Sequence, residues 1–318
     1  MPVTYAPIGN MRASAALLLV SIGLLSCAPS AGSQSTPDGV KNGAHFDHVV
    51  IVVMENEGMS QALADKRIVE LAKTGAWFSN YRALAHPSLP NYLAIVGGST
   101  FGVVTDHRPA PINAPTIVDR LEQKGFTWKA YAEDYPGACY LGSAAGEGHL
   151  TPQADATDLY VRKHVPLLAF SSIQNDSKRC ARVVNARDFM RDARAGNLPN
   201  YSFYSPNMFN DGHDTSLETS AGWLNNFVRS LQGTLGMHQR TLLVVTWDEG
   251  GGEDFRQNRI LTIFIGNVVL PGRYDARLTH YSLLRTIEDN FGLAPLAAGD
   301  RDASAVPPAV WRESPSAP

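Results

Sequence analysis

The chain alternates short apolar runs with longer segments in which apolar and charged residues recur at helical spacing. Uninterrupted apolar runs rich in β-branched residues occupy residues 49–54, 242–247 and 261–265. Such runs are typical of strands that are buried on both faces of a parallel sheet. Helical spacing is found at residues 68–74, 116–124 and 217–231. The pattern predicts an α/β fold in which a central, mostly parallel sheet carries helices on both faces.

The N-terminal segment differs in kind from the rest of the chain. Arg12 precedes an apolar run that ends in Leu-Leu-Ser-Cys, with Cys27 as its last residue. The run predicts a signal peptide over residues 1–26, with the true start at Met1 or Met11. Its ending resembles a bacterial lipoprotein box, in which Cys27 would be lipidated. We therefore expect an exported protein, either a lipoprotein of the cell envelope or a secreted or periplasmic protein.

Two further regions follow the signal peptide. Residues 27–44 are small, polar and rich in Pro, Gly and Ser, which predicts a flexible tether. Residues 45–318 contain no second linker and no internal repeat, so we expect one globular domain. Because export implies an oxidising compartment, we expect Cys139 and Cys180 to form a disulfide. Two separate buried thiols are the alternative.

Composition narrows the classes of protein. With 318 residues, of which 44% are hydrophobic, the chain can bury a large core. Its formal charge of −3 and its lack of a dense Lys/Arg cluster argue against a broad nucleic-acid-binding surface. A local basic pocket for one phosphate is compatible with this balance.

Acidic and amide side chains follow two of the predicted strands directly. Glu55 and Asn56 come after the first strand, and Asp248 and Glu249 come after the second. Ligand-binding residues collect at the carboxyl ends of such strands, where these acids would repel one another without a cation. Oxygen ligands suit Mg, Ca, Mn or Zn. Each acid taken alone is more often a helix cap or a surface charge.

Ser88 is the candidate nucleophile. It stands between Pro87 and Pro90, which restrict the backbone, and ahead of an apolar stretch that reads as a helix. The amides at a helix start favour an anion. The chain contains no Gly-x-Ser-x-Gly motif, so an elbow-type hydrolase is not favoured. A serine between prolines is also common in ordinary turns.

Histidines and acids elsewhere add candidates with open roles. The loop at residues 210–214 reads Asn-Asp-Gly-His-Asp, which suits a metal, a phosphate oxygen or an ordinary Asx turn. His280 heads a predicted helix, where it would either act in the site or lie partly exposed. His164 would either join the site or pack beneath a loop.

Five segments, taken in order, resemble the phosphoesterase family that joins bacterial phospholipases C to acid phosphatases, a branch of the alkaline phosphatase superfamily. They are VVIVVMEN at 49–56, HPSLPNYLAIVGG at 86–98, NDGHD at 210–214, VVTWDEG at 244–250 and HYSLLRTIEDNFGL at 280–293. The resemblance implies an alkaline-phosphatase-like core, with residues 45–318 as its catalytic domain. One departure is the run that follows Glu55-Asn56, which here reads Glu-Gly-Met-Ser.

The resemblance also implies roles for individual residues. The metal ligands are Glu55, Asn56, Asp248 and Glu249, the nucleophile is Ser88, and Asn91 binds a phosphoryl oxygen. His86 and His213 are assigned to catalysis and Asp211, Asp214 and His280 to substrate binding, although each could instead protonate the leaving group, bind phosphate or hold a second metal.

The implied activity is metal-dependent hydrolysis of phosphomonoesters, as in acid phosphatases, through a phosphoserine. The compact size and the segment YVRKHVPLLAF at 160–170 resemble the secreted acid phosphatases. The alternatives are a phosphodiesterase or phospholipase C, and a lipid-anchored binding protein without activity. The expected partner is a small phosphorylated substrate, such as a nucleotide, a sugar phosphate or a phosphoinositide, with membrane contact only through a lipid anchor.

Overall fold

A computed structural model describes residues 42–148 and 157–313. The predicted signal peptide, the lipidation site Cys27 and nearly all of the predicted tether lie outside these residues. The described residues belong to one compact unit. Among them, no helix combines the length and the apolar character needed to cross a membrane.

The strands are short, and their bounds follow the apolar runs of the sequence. They are β1 His48–Met54, β2 Ala76–Phe78, β3 Tyr81–Arg82, β4 Trp128–Ala132, β5 Ala144–Gly148, β6 Thr157–Val161, β7 Val183–Asn185, β8 Tyr201–Ser205, β9 Thr241–Trp247, β10 Thr262–Ile265, β11 Gly272–Tyr274 and β12 Leu278–Thr279. The strands predicted at residues 49–54, 242–247 and 261–265 are thus confirmed as β1, β9 and β10.

The helices include those predicted at residues 68–74, 116–124 and 217–231. The α-helices are α1 Met59–Ala62, α2 Lys66–Lys73, α3 Ser88–Gly97, α4 Ile117–Gln123, α5 Ser171–Gln174, α6 Ser177–Cys180, α7 Arg187–Arg194, α8 Leu217–Gln232, α9 Leu235–His238, α10 His280–Phe291 and α11 Ala298–Arg301. Short 3-10 helices span Arg162–His164, Pro166–Ala169, Gly252–Gln257 and Pro308–Val310.

One eight-stranded sheet forms the centre of the fold, in the order β11-β2-β10-β9-β1-β8-β4-β7. Only β10 runs antiparallel to its neighbours, β9 and β2, among the pairs of this sheet. Every residue of β1 and of β9 is buried, which requires cover on both faces of the sheet. The predicted fold class, a mostly parallel α/β sheet covered by helices, is confirmed.

The reversal of β10 has a local cause. A parallel connection needs a crossover of a dozen or more residues, usually a helix. Between β9 and β10 the chain forms only a glycine-rich turn and the 3-10 helix Gly252–Gln257. The strand therefore returns beside β9 in the opposite direction.

The sheet aligns the two acidic segments at one edge. Strands β1 and β9 are parallel neighbours, and Met54 pairs with Trp247 at their ends. Glu55 and Asp248 therefore leave the sheet side by side. The turn after β9 is tightly packed, because a Cβ at Gly251 would collide with the carbonyl oxygen of Asn56.

The predicted bridge between Cys139 and Cys180 is formed, with Cα atoms 5.4 Å apart. It joins the segment after β4 to the end of α6. The expectation of a disulfide is confirmed, and the alternative of two separate thiols is wrong.

Candidate active site

Ser88 lies at the first residue of α3, preceded by a cis His86–Pro87 peptide bond. Its side chain is buried, and the hydroxyl donates a hydrogen bond to Glu55 Oε2 at 3.1 Å. The sequence therefore correctly places this serine at a helix start. The fold brings it against the acid that ends β1.

Glu55 is fully buried, and its carboxylate accepts more than one hydrogen bond. Tyr92 Oη donates to its Oε1 at 2.6 Å, and His164 Nε2 lies 3.0 Å from the same oxygen. Burial alone would raise the pKa of Glu55, but the charge and contact of His164 reverse the effect and lower the pKa to about 2. Glu55 is therefore held as a carboxylate.

His164 sits between two buried carboxylates. Its Nδ1 lies 3.3 Å from Asp211 Oδ2, and its ring stacks on that of Tyr92 at 5.0 Å between centroids. Burial would lower the pKa of His164, but Glu55 and Asp211 together raise the pKa to about 10. The protonated imidazole of His164 thus lies between Glu55, which follows β1, and Asp211, which belongs to the loop at residues 210–214. Of the two readings left open by the sequence, the structure places His164 inside the site.

Asp248 carries the least compensated charge. It is fully buried, its Oδ1 accepts the Asn56 N–H at 3.0 Å, and its Oδ2 has no hydrogen-bond partner among the described residues. Burial raises the pKa of Asp248 well above its ordinary value, and the charges of Glu55 and Glu249 raise it further. The contacts of Asp248 with the Asn56 N–H and the Ser88 hydroxyl lower its pKa, but they do not offset burial.

The donor chemistry of this edge fits a hard divalent cation. Buried carboxylates of Glu55 and Asp248, the hydroxyl of Ser88 and an orphaned carboxylate oxygen are all oxygen donors. Asn56 adds an amide on a backbone in the left-handed region, at φ 54°. However, within residues 42–148 and 157–313 no three His, Cys, Asp or Glu side chains converge as a ready coordination sphere.

Glu249, the fourth predicted ligand, forms an ion pair with a histidine. His86 Nδ1 lies 2.7 Å from Glu249 Oε2, and His86 Nε2 lies 3.1 Å from the carbonyl oxygen of Phe255. The ring of Phe255 stacks on that of His86 at 4.1 Å. Burial raises the pKa of Glu249 more than His86 lowers it. This pair forms the partly exposed rim of the site.

Asn91 is committed to the backbone that presents Ser88. Its Oδ1 accepts the N–H groups of Leu84 and Ala85 at 2.9 and 3.1 Å, and its Nδ2 donates to Ala85 O at 2.8 Å and to Pro87 O at 3.3 Å. The side chain is fully buried. The structure thus shows Asn91 shaping the loop, and its predicted contact with a phosphoryl oxygen stays a prediction.

The loop at residues 210–214 packs beneath Glu55. The Glu55 N–H donates to Asp211 O at 3.0 Å, and Asp211 Oδ1 accepts the His213 N–H at 2.8 Å. His213 Nδ1 lies 2.5 Å from Asp214 Oδ1, and the His213 ring centroid is 6.4 Å from that of His164. This arrangement brings Asp211, His213 and Asp214 into the site region that the sequence predicted.

His280 is buried rather than partly exposed. Its Nε2 lies 2.8 Å from Asp248 O and its Nδ1 lies 3.5 Å from Tyr81 Oη. Burial lowers the pKa of His280 to about 4, so the neutral ring donates to the carbonyl. The hydrogen bond from His280 to the Asp248 carbonyl oxygen therefore fixes the backbone directly after β9.

Comparison with known proteins places the chain in a family. The model of the phosphoesterase family matches residues 64–294. A Kluyveromyces lactis protein named "Probable acid phosphatase" is 36% identical over 82% of this chain, and a Penicillium chrysogenum "Phosphate-repressible acid phosphatase" is 34% identical over 82%. The chain spans 62% and 63% of the lengths of these two relatives. A Mycobacterium tuberculosis "Phosphatidylinositol-3-phosphatase" is 36% identical, covering 78% of each chain.

Solved structures support the fold alone. A protein of the alkaline phosphatase superfamily from Vibrio parahaemolyticus aligns with a TM-score of 0.54 at 12% identity, covering 83% of this chain and 72% of that one. The lipoteichoic acid synthase LtaP from Listeria monocytogenes also gives 0.54, at 8% identity, covering 84% and 80%. The chain therefore belongs to the phosphoesterase family and has the α/β fold of the alkaline phosphatase superfamily.

Proposed function

We propose that this protein hydrolyses phosphate monoesters with Ser88 as the nucleophile and a divalent cation as cofactor. The observation that carries the proposal is the hydroxyl of Ser88 at the start of α3, 3.1 Å from the buried carboxylate of Glu55. Relatives named as acid phosphatases and as a phosphatidylinositol-3-phosphatase support the reaction class.

The predicted ligands of the cation are Glu55, Asn56, Asp248 and Glu249, and its identity among Mg, Ca, Mn and Zn is left to experiment. When bound, the cation supplies positive charge that favours the serine alkoxide and offsets charge on the phosphoryl oxygens. The uncompensated Asp248 carboxyl and the oxygen-rich edge support this set. His164 already supplies one positive charge beside Glu55.

The reaction then proceeds by substitution at phosphorus. Ser88 loses its hydroxyl proton to solvent, and its Oγ forms the new P–O bond while the bond to the leaving oxygen breaks. Water later attacks the phosphoserine, which releases phosphate and returns a proton to Ser88 Oγ. Ser88 lies at the N-terminal end of α3, where the positive end of the helix dipole favours the anionic phosphoryl group. Asn91 Oδ1, which accepts the N–H groups of Leu84 and Ala85, keeps this helix start in place.

The leaving oxygen requires a proton, and His213 is our candidate donor. It is partly exposed, and Asp214 orients it through Nδ1, which leaves Nε2 to face a substrate. His86, oriented by Glu249, is the second candidate. Asp211 and His280 contact residues of the site and are proposed here to position His164 and Asp248, respectively.

Export is part of the proposal. The N-terminal run predicts a signal peptide, and the disulfide between Cys139 and Cys180 is compatible with an oxidising compartment. Lipidation of Cys27 is proposed from the sequence Leu-Leu-Ser-Cys. Mass analysis of the N-terminal peptide from membrane and soluble fractions tests it, because an acylated Cys27 belongs to the membrane fraction alone.

The activity is tested with p-nitrophenyl phosphate, bis-p-nitrophenyl phosphate and p-nitrophenylphosphorylcholine, from pH 5 to pH 9, before and after chelation and metal restoration. Fast, chelator-sensitive cleavage of the monoester is the expected result. A preference for either diester would replace the proposal with a phosphodiesterase or phospholipase C. No turnover of any substrate with metals supplied would favour a binding protein.

A further inference from the structure

A separate pocket opens beside the helix that carries Ser88. It has a volume of about 240 Å³, and its polar lining consists mainly of Asp106, Arg108, Arg162 and Lys163. Leu89, the residue after Ser88, forms part of the wall. Lys163 directly precedes His164. Two of its lining residues, Leu89 and Lys163, are therefore direct chain neighbours of the site residues Ser88 and His164.

Arg162 is an unusual lining residue because it is 94% buried, with 6% of its surface exposed. One guanidinium nitrogen donates to the Leu168 carbonyl oxygen at 3.2 Å, whereas Nε has no hydrogen-bond partner in the described part of the chain. Burying an arginine without a carboxylate is costly, so its charge needs a compensating group.

Arg108 faces the same space from the loop before α4. It donates to the Leu141 carbonyl oxygen at 3.0 Å, and no described carboxylate forms an ion pair with Arg108 or with Arg162. Burial lowers the pKa of Arg162, and repulsion from Arg108 lowers it further, so the two like charges are close. Two guanidinium groups thus line one cavity, and neither of them forms an ion pair with an acid in the described part of the chain.

The third cation is already neutralised. Lys163 Nζ lies 2.9 Å from Asp106 Oδ2, and Asp106 Oδ1 accepts the Leu89 N–H at 2.9 Å. This carboxylate ties the pocket to the first turn of α3. The remaining positive charge belongs to Arg108 and Arg162, whose planar forks match phosphate oxygens.

We propose that this pocket is a subsite for a second phosphate group of the substrate, held by Arg108 and Arg162 while the scissile phosphate meets Ser88. The inference rests on the proposed function and extends it to a substrate class, namely monoesters that carry another phosphate nearby. That group is either a free phosphate, as in a sugar bisphosphate, or the phosphodiester of a lipid head group.

Paired substrates test the subsite. The free-phosphate pair is fructose 6-phosphate and fructose 1,6-bisphosphate, and the lipid pair is inositol 3-phosphate and short-chain phosphatidylinositol 3-phosphate. We expect kcat/KM to be higher for the second member of at least one pair. In Arg108→Gln that advantage should shrink about tenfold, the scale of a charge-assisted contact, with p-nitrophenyl phosphate turnover unchanged.

Arg108 is exposed, so its replacement should not disturb folding, and Arg229→Gln on α8 is the matched exposed control. The pair that loses its advantage identifies the source of the second phosphate. Unchanged ratios in Arg108→Gln, or an equal loss on p-nitrophenyl phosphate, would overturn the proposal. Arg162→Gln, checked for cooperative unfolding, should show the same selective loss.

Calorimetry separates this proposal from the proposed function. Fructose 1,6-bisphosphate is titrated into Ser88→Ala and into Ser88→Ala with Arg108→Gln, where no turnover is needed. Weaker binding to the double variant supports the subsite even if the wild-type protein hydrolyses none of these substrates. Short-chain phosphatidylinositol 3-phosphate is titrated in the same way, and equal binding of both ligands to the two variants contradicts the subsite whatever the activity.

Discussion

The free energy of unfolding of Glu288→Gln, relative to that of the wild-type protein, should increase as the pH rises. Glu288 lies on α10, is fully buried, and neither of its carboxyl oxygens accepts a hydrogen bond from a described donor. It faces Asp300, whose oxygens accept the N–H groups of Leu296 and Ala297 at 2.5 and 2.8 Å. Burial, and then the hydrogen bond to Asp300 and its charge, raise the pKa of Glu288 to about 9.

The direction of the pH effect on stability follows from the protons bound by the native and unfolded states. The native protein keeps the Glu288 proton up to about pH 9, whereas the unfolded chain releases it near 4.5. Stability from this group is therefore fully present below pH 4.5 and is lost as the pH rises toward 9. The loss is about 1.4 kcal/mol for each pH unit in that window. Between pH 5.5 and 7.5 the wild-type protein should lose up to about 3 kcal/mol relative to Glu288→Gln.

Urea unfolding at pH 5.5, 6.5 and 7.5 measures this difference, with the disulfide intact. Glu218→Gln, which removes an exposed carboxylate at the start of α8, is the control and should follow the wild-type slope. Any pH dependence of the active site is common to all variants and cancels. Parallel free-energy curves for wild type and Glu288→Gln would refute the reasoning.

Other perturbations have definite expected results. Tyr92→Phe removes a hydrogen bond to a buried carboxylate, so urea unfolding should show a loss of about 1.5–3 kcal/mol, and turnover should fall; unchanged stability would argue against the Glu55 contact. Cys139→Ser with Cys180→Ser opens a loop with a sequence separation of 41 residues, which should cost about 4 kcal/mol in the chain-entropy account, measured by urea unfolding without reductant; an equal midpoint would contradict it. Dialysis against a chelator should abolish p-nitrophenyl phosphate cleavage, and readdition of one of Mg, Ca, Mn or Zn should restore it; full activity after verified metal removal would exclude the proposed cofactor.

The sequence predicts the site best where local pattern and topology coincide. Apolar runs define β1 and β9, and because parallel neighbours end at one edge, the acids that follow them must meet. Ser88 is found at a helix start because prolines and the following apolar stretch favour that start. These features need only local preferences and one rule about sheets.

Long-range packing is less accessible from the sequence. His164 joins the site only because the 3-10 helix Arg162–His164 packs against α3, and its segment gave no metal or catalytic pattern by itself. His280 begins a helix, as predicted, but it is buried, because its ring donates to the Asp248 carbonyl oxygen inside the fold. Arg108 and Arg162 are far apart in sequence and share a pocket only in the folded chain.

The central claim is that Ser88 is the nucleophile, and turnover of p-nitrophenyl phosphate by Ser88→Ala tests it most directly, with metals supplied. Ser88→Ala removes a hydrogen bond to the buried Glu55 carboxylate, so the variant should unfold cooperatively with a loss of about 1.5–3 kcal/mol, as for Tyr92→Phe. The account predicts a folded protein without turnover above background. A folded variant that keeps wild-type turnover would contradict it.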